Sequence, residues 1–179
     1  MDGNRFIKGS RVVYGTNGIC VIEDIKPISF DYDNKEKMYY ILKPLSNPSS
    51  TIFVPLDNKV LESRLRDIMT KEEINSLILH IGDKEIKWDK DRRSRNEKFH
   101  EILAGGVRED LLLMIRCINT KKQELTSEGK HLPATDSNTL KTAERLLEEE
   151  FSYVLDIVPE NVEAYIKSLL DSPENKKAI

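Results

Sequence analysis

The character of this chain changes once, at Thr70. Before it, short β-branched and aromatic runs are separated by turn residues; after it, apolar residues recur at helical spacing. The junction carries its own mark. Thr70-Lys71-Glu72-Glu73 has the pattern of a capping box, with Thr70 as N-cap and Glu73 at N3. The division predicts an α+β protein: a small bent β-sheet or barrel over residues 1–69, a bundle of about five α-helices over 70–171, and a frayed tail over 172–179.

Within the first part, Arg11–Tyr14 is a β-branched run, and Thr16-Asn17-Gly18 supplies the Asn-Gly pair that favours a hairpin. Ile19–Ile25 continues as a second strand. Pro27 and the polar stretch 30–35 read as a loop, Met38–Leu42 as a third strand, Thr51–Val54 as a fourth and Leu65–Met69 as a fifth. Strands this short and closely spaced suit a small barrel or a strongly bent sheet.

In the second part, a helix is predicted from Lys71 to about His80, followed by an interruption at Gly82-Asp83. A second helix spans Lys84–Leu103 and stops at Gly105-Gly106. A third runs from Arg108 to Gln123 with Leu111, Leu112, Ile115 and Ile118 inward. A fourth covers Asn138–Asp156, capped by Asp136 or Ser137, and buries Leu140, Ala143, Leu147, Phe151 and Val154. Pro159 opens a last helix with Val162, Tyr165, Ile166 and Leu169 as its stripe.

The chain has 179 residues, 39% hydrophobic and 33% charged, a composition suited to a globular, helix-rich protein. No apolar run approaches the roughly 20 residues that span a bilayer, and MDGNRFIKGS has no signal-peptide core, so a cytoplasmic location is expected. Cys20 and Cys117 lie far apart and read as free, packed thiols. Motifs for phosphate cradles, nucleophile elbows and zinc proteases are absent from the sequence, and His80, His100 and His131 have no ligand spacing. No catalytic residues, no metal site and no cofactor are expected. The Glu148-Glu149-Glu150 run reads as a solvated helix face.

Chemistry concentrates in Lys84–Leu103. The segment holds the chain's one tryptophan, and Arg92, Arg93 and Arg95 follow it closely. Although the net charge is −3, residues 84–98 carry seven basic residues against four acidic ones (Glu85, Asp89, Asp91, Glu97). In a continuous helix, Trp88, Arg92, Arg95, Phe99 and Ile102 share one stripe, basic and aromatic at one end and aliphatic at the other. An apolar wedge beside arginines fits minor-groove binding. The plainer alternative packs Trp88 on the helical core and leaves the arginines solvated or paired with Glu97 and Glu101. If Asp89 is the N-cap, Trp88 falls just outside the helix.

Phe6–Ile22, FIKGSRVVYGTNGICVI, resembles the opening of the CarD/CdnL-like transcription regulators, whose signature is GD-x-VVYP-x-HG-x-G-x-I; Gly9, Val12, Val13, Tyr14 and Gly18 match. Tyr39-Tyr40-x-Leu42, Val54-Pro55 and Leu65-Arg66 fit the same domain. Trp88, Arg92, Arg93, Phe99, Leu103, Gly105-Gly106 and the KTAERLLEEEF stretch from Lys141 extend the likeness to about residues 5–168. Ser10 departs from the usual acidic residue, and Gly15-Thr16-Asn17 from Pro-x-His.

The resemblance implies a bacterial protein with no enzymatic activity and no cofactor. Its N-terminal module would be a Tudor-like RNA polymerase-interaction domain, shared with transcription-repair coupling factors, that docks on the polymerase β subunit. Its helical module would wedge the tryptophan into promoter DNA at the upstream edge of the transcription bubble and hold the open complex. Carried onto this sequence, the DNA-binding set is Trp88, Lys90, Arg92, Arg93 and Arg95, and the polymerase-binding set is Lys26, Tyr40, Phe53 and Arg66. A monomer is expected, with strand exchange through an exposed edge strand as the alternative. The competing reading is a protein–protein adaptor with no DNA contact.

Overall fold

Short β-branched runs pair as the turn residues dictate. In the computed structural model, which describes residues 5–29, 36–82 and 84–171, β1 (Arg11–Tyr14) pairs antiparallel with β2 (Ile19–Ile28), Val12 opposite Cys20 and Val13 opposite Ile19. The connecting turn is not a two-residue Asn-Gly turn, which needs positive φ at both residues. Gly15–Asn17 form a 3-10 turn, positive φ falls on Gly15 and Gly18, and the Tyr14 amide donates to the Gly18 carbonyl at 3.0 Å. The departure from Pro-x-His at residues 15–17 thus puts a glycine where the left-handed backbone is needed.

β2 runs through Pro27 instead of stopping before it. β1 reaches only as far as Val21, so Pro27 lies where β2 pairs with β3 (Lys37–Pro44) alone. A proline is tolerated on such an open edge. The register shifts between Ile22 and Asp24, a bulge that bends the strand. β4 (Ile52–Pro55) adds to β3, and β5 (Leu65–Asp67) adds to β1, giving the order β4-β3-β2-β1-β5. One turn of helix that periodicity did not predict, α1 (Lys59–Glu62), is capped by Asn58. Val12, Tyr14, Cys20, Ile22, Tyr40, Leu42, Val54 and Leu65 form the core of this unit, Met1–Ile68. The predicted loop over 30–35 lies outside the described residues.

The second unit, Met69–Ile179, begins with the capping box. Thr70 Oγ1 accepts from the Glu73 amide at 3.2 Å, and Glu73 Oε2 accepts from the Thr70 amide at 2.7 Å. A cap of this kind contributes about 1 kcal/mol to α2 (Lys71–His80). Four more helices follow: α3 (Arg92–Gly105), α4 (Arg108–Ser127), α5 (Ala134–Leu155) and, after a 3-10 turn at Pro159–Asn161, α6 (Val162–Asp171). The α+β division and the five-helix second part are as expected. α3 ends as predicted, with Gly106 left-handed and its amide bonded to the Ile102 carbonyl. The predicted tail over 172–179 and Asp83 of the predicted Gly82-Asp83 break lie outside the described residues.

Three details differ from the sequence reading. α4 buries Leu111, Met114, Cys117 and Ile118, while Leu112 and Ile115 are only partly covered, so its inner stripe is rotated toward Met114. α5 starts at Ala134 behind Pro133, and neither Asp136 nor Ser137 is its cap. Asp136 lies in the first turn, fully buried. Third, Glu150 is 3% exposed and belongs to the interior, whereas Glu148 is exposed.

Partial desolvation, reinforced by Glu144, Glu160 and Glu163, pushes the Glu148 carboxyl above its ordinary pKa. A carboxyl whose folded pKa is raised binds its proton more tightly in the native state. Its contribution to stability is therefore present in acid and lost as pH rises through the folded pKa. Glu148→Gln is expected to raise the melting temperature near pH 7 and to leave it unchanged near pH 4, around the ordinary glutamate pKa of about 4.3. Thermal melts at the two pH values check this.

Candidate functional site

The predicted helix over Lys84–Leu103 begins only at Arg92. Asp91 is its N-cap, its carboxylate accepting from the Ser94 amide at 2.7 Å. Asp89, the cap considered from sequence, accepts instead from the Asp91 amide at 2.8 Å. Hydrogen bonds from Ser94 and from the Asp91 backbone hold the Asp89 carboxyl below its usual pKa. The preceding segment is held to α4: Lys84 pairs with Glu109 at 2.6 Å, and Arg116 donates to the Gly82 carbonyl at 3.1 Å. Trp88 therefore sits on the approach loop, and the continuous Trp88–Arg92–Arg95 stripe does not form.

Trp88 is half-buried. Phe99 meets its ring edge to face, with centroids 6.3 Å apart, and the Arg95 guanidinium lies 4.2 Å from the ring centroid. Trp88 also lines a cleft of about 530 Å³ with Ile86, Lys87, Leu113, Arg116, Cys117 and Lys121. Burial pushes the Cys117 thiol upward in pKa, consistent with a packed, unreactive side chain.

The cations divide into two groups. Lys87, Lys90, Arg92 and Arg93 are exposed. Arg92 also reaches Thr135 Oγ1 at 3.2 Å, and Arg93 pairs with Glu97 at 3.0 Å, the pairing that the plainer alternative foresaw. Exposed pairs of this kind are weak, and a phosphate can displace them. Arg95 differs. It is 4% exposed, and Nε and Nη2 donate to the two Asp136 oxygens at 3.0 and 2.9 Å. Its expected place among the DNA-binding residues is corrected: Arg95 shares the inward face of α3 with Phe99, and its guanidinium is already occupied.

In the first unit, Lys26 is exposed on β2 beside Asp24, and Phe53 is 41% exposed on the edge strand β4. Arg66 is half-buried on β5, the opposite edge. Tyr40, expected to touch the polymerase, is 0% exposed and packs edge to face with Phe6. It is a core residue because its strand neighbour Tyr39, not Tyr40, takes the outward alternation. The four expected docking residues therefore do not form one patch.

Among the described residues, no group of three or more His, Cys, Asp or Glu could hold a metal ion, and no helix is long and apolar enough to cross a membrane. No curated protein matches the chain. Residues 6–69 match the family model of the CarD-like/TRCF RID domain, a protein-interaction family and not an enzyme family. The matched stretch coincides with the five-stranded sheet and stops one residue before the Thr70 cap. The first unit of this protein thus carries a CarD-like/TRCF RID domain over residues 6–69, which supports interaction with RNA polymerase and a transcription-related role.

Proposed function

We propose that the first unit docks this protein on the β subunit of RNA polymerase and that the second stabilises the open promoter complex through Trp88, inserted at the minor groove of the upstream bubble edge. The observation that carries the DNA half is the loop geometry. Trp88 stands outside α3, only partly buried, with the exposed Lys87, Lys90, Arg92 and Arg93 near it in the chain. An aromatic wedge flanked by phosphate-binding cations suits a duplex edge that is already unpaired. Such contacts give position without sequence preference. The weak affinity becomes useful once tethering raises the local concentration.

The docking half rests on the RID match and on an edge. β4 is hydrogen-bonded to β3 alone in the described sheet and carries the exposed Phe53. An extended segment of a partner can add to such an edge, with Phe53 as a side-chain contact. A second reading, the adaptor without DNA contact, is favoured by the packing of Trp88 on Phe99.

Binding of the whole chain to forked promoter DNA is expected to be weak and to fall steeply with salt, because bound phosphates release counterions. Arg92→Ala and Arg93→Ala each reduce the slope of log affinity against log salt by about 1, while Lys130→Ala, remote in sequence and paired with Glu128, leaves it unchanged. Gel shifts across a salt series measure this, and a salt-independent shift argues for the adaptor.

A further inference from the structure

We propose that the buried Arg95–Asp136 pair is a clamp that fixes the position of Trp88, with Arg95 and Asp136 acting as positioning residues. Three segments meet at one guanidinium. Nε and Nη2 take both oxygens of Asp136 in the first turn of α5, and Nη1 donates to the Asp89 carbonyl at 2.7 Å. The third bond fixes the backbone one residue beyond Trp88. The guanidinium also lies 4.2 Å from the centroid of the Trp88 ring, while Phe99 meets that ring edge to face. Backbone and ring are thus both held by Arg95.

Stability alone is a poor reason for this arrangement, since apolar side chains of similar volume usually replace a buried ion pair without loss. What apolar side chains cannot supply is the third donor on the Asp89 carbonyl and the planar cation at the indole. Lysine cannot supply it either, because the fork geometry belongs to arginine. Asp136 carries no DNA contact in this scheme; it orients Arg95, and Arg95 orients Trp88. The consequence for promoter DNA rests on the function proposed above, whereas the positioning of Trp88 does not.

Trp88 is the chain's one tryptophan, so its fluorescence reports the clamp directly. In the double variant Arg95→Met/Asp136→Leu of the full chain, helical circular dichroism and cooperative unfolding are expected to persist. Trp88 anisotropy falls and its quenching by acrylamide rises. Arg95→Lys, measured in parallel, keeps a buried cation and drops the Asp89 bond; it is expected to show the same loss of anisotropy. It keeps the test decisive if the double variant does not fold. Unchanged anisotropy and quenching in the variants that fold overturn the clamp. Open-complex lifetime with polymerase separates the two proposals: a drop toward the value for Trp88→Ala supports both, whereas a loosened Trp88 with an unchanged lifetime supports the clamp and overturns the role of Trp88 at the promoter.

Discussion

Trp88→Ala is expected to shorten the lifetime of the open promoter complex by about 5- to 150-fold, the equivalent of the roughly 1–3 kcal/mol of one aromatic–base contact. Binding of the chain to polymerase should stay as it was, because the RID match ends at residue 69 and Trp88 lies beyond it. The helical unit should also remain folded. Trp88 is half-buried at the edge of the helical core and loses its contacts there, those with Phe99 and Arg95 among them, a change within the common range of about 0.5–3 kcal/mol. Promoter lifetime assays paired with thermal melts check both halves. A variant that unfolds would mark Trp88 as a packing residue.

Glu150→Ala is expected to have the largest effect on stability, about 3–5 kcal/mol, the cost of leaving a buried charge without its partner. Glu150 Oε1 accepts from the Met69 amide at 2.9 Å, and its two oxygens hold the Arg108 guanidinium, with Nε at 2.9 Å. One carboxylate thus joins the start of the helical unit and the first turn of α4 to the C-terminal part of α5. Removing it takes the two-pronged carboxylate partner from Arg108, itself mostly covered. Against a typical domain stability of about 5–15 kcal/mol, this is enough to populate unfolded molecules. Urea unfolding of Glu150→Ala measures it. Glu148→Gln, two residues away, shifts stability in the opposite direction at neutral pH. A loss below about 0.5 kcal/mol, the scale of a surface substitution, would contradict the account of Glu150.

The elements were legible in the sequence because their signals are local. Thr70 and Glu73 lie within one turn of each other, and Gly105-Gly106 ends α3 where a left-handed residue is required. The β runs were legible in position, though prolines read as their ends fall inside β2 and β4. What periodicity could not show were partners far apart in sequence. Asp136 lies 41 residues from Arg95, and Glu150 lies 42 from Arg108. Each looked like a solvated charge or a cap until its partner came into place. Tyr40 was misjudged because Tyr39-Tyr40 offers two aromatics with opposite faces, and the pattern alone does not say which faces the core. At Trp88 the difficulty was a choice between a helix continuous from Lys84 and one capped at Asp89. The cap fell on Asp91, two residues later, with Asp89 bracing the loop, so the tryptophan lies off the helix as an Asp89 cap would also have left it.

The central claim is that polymerase docking and DNA contact belong to one molecule and act together. The most direct test is a shift of forked promoter DNA by the full chain, with and without RNA polymerase. The account predicts weak, salt-sensitive binding by the chain alone and a longer-lived DNA complex when polymerase and chain are both present, the gain disappearing with Trp88→Ala. A chain that binds polymerase yet leaves the lifetime of the DNA complex unchanged would contradict it.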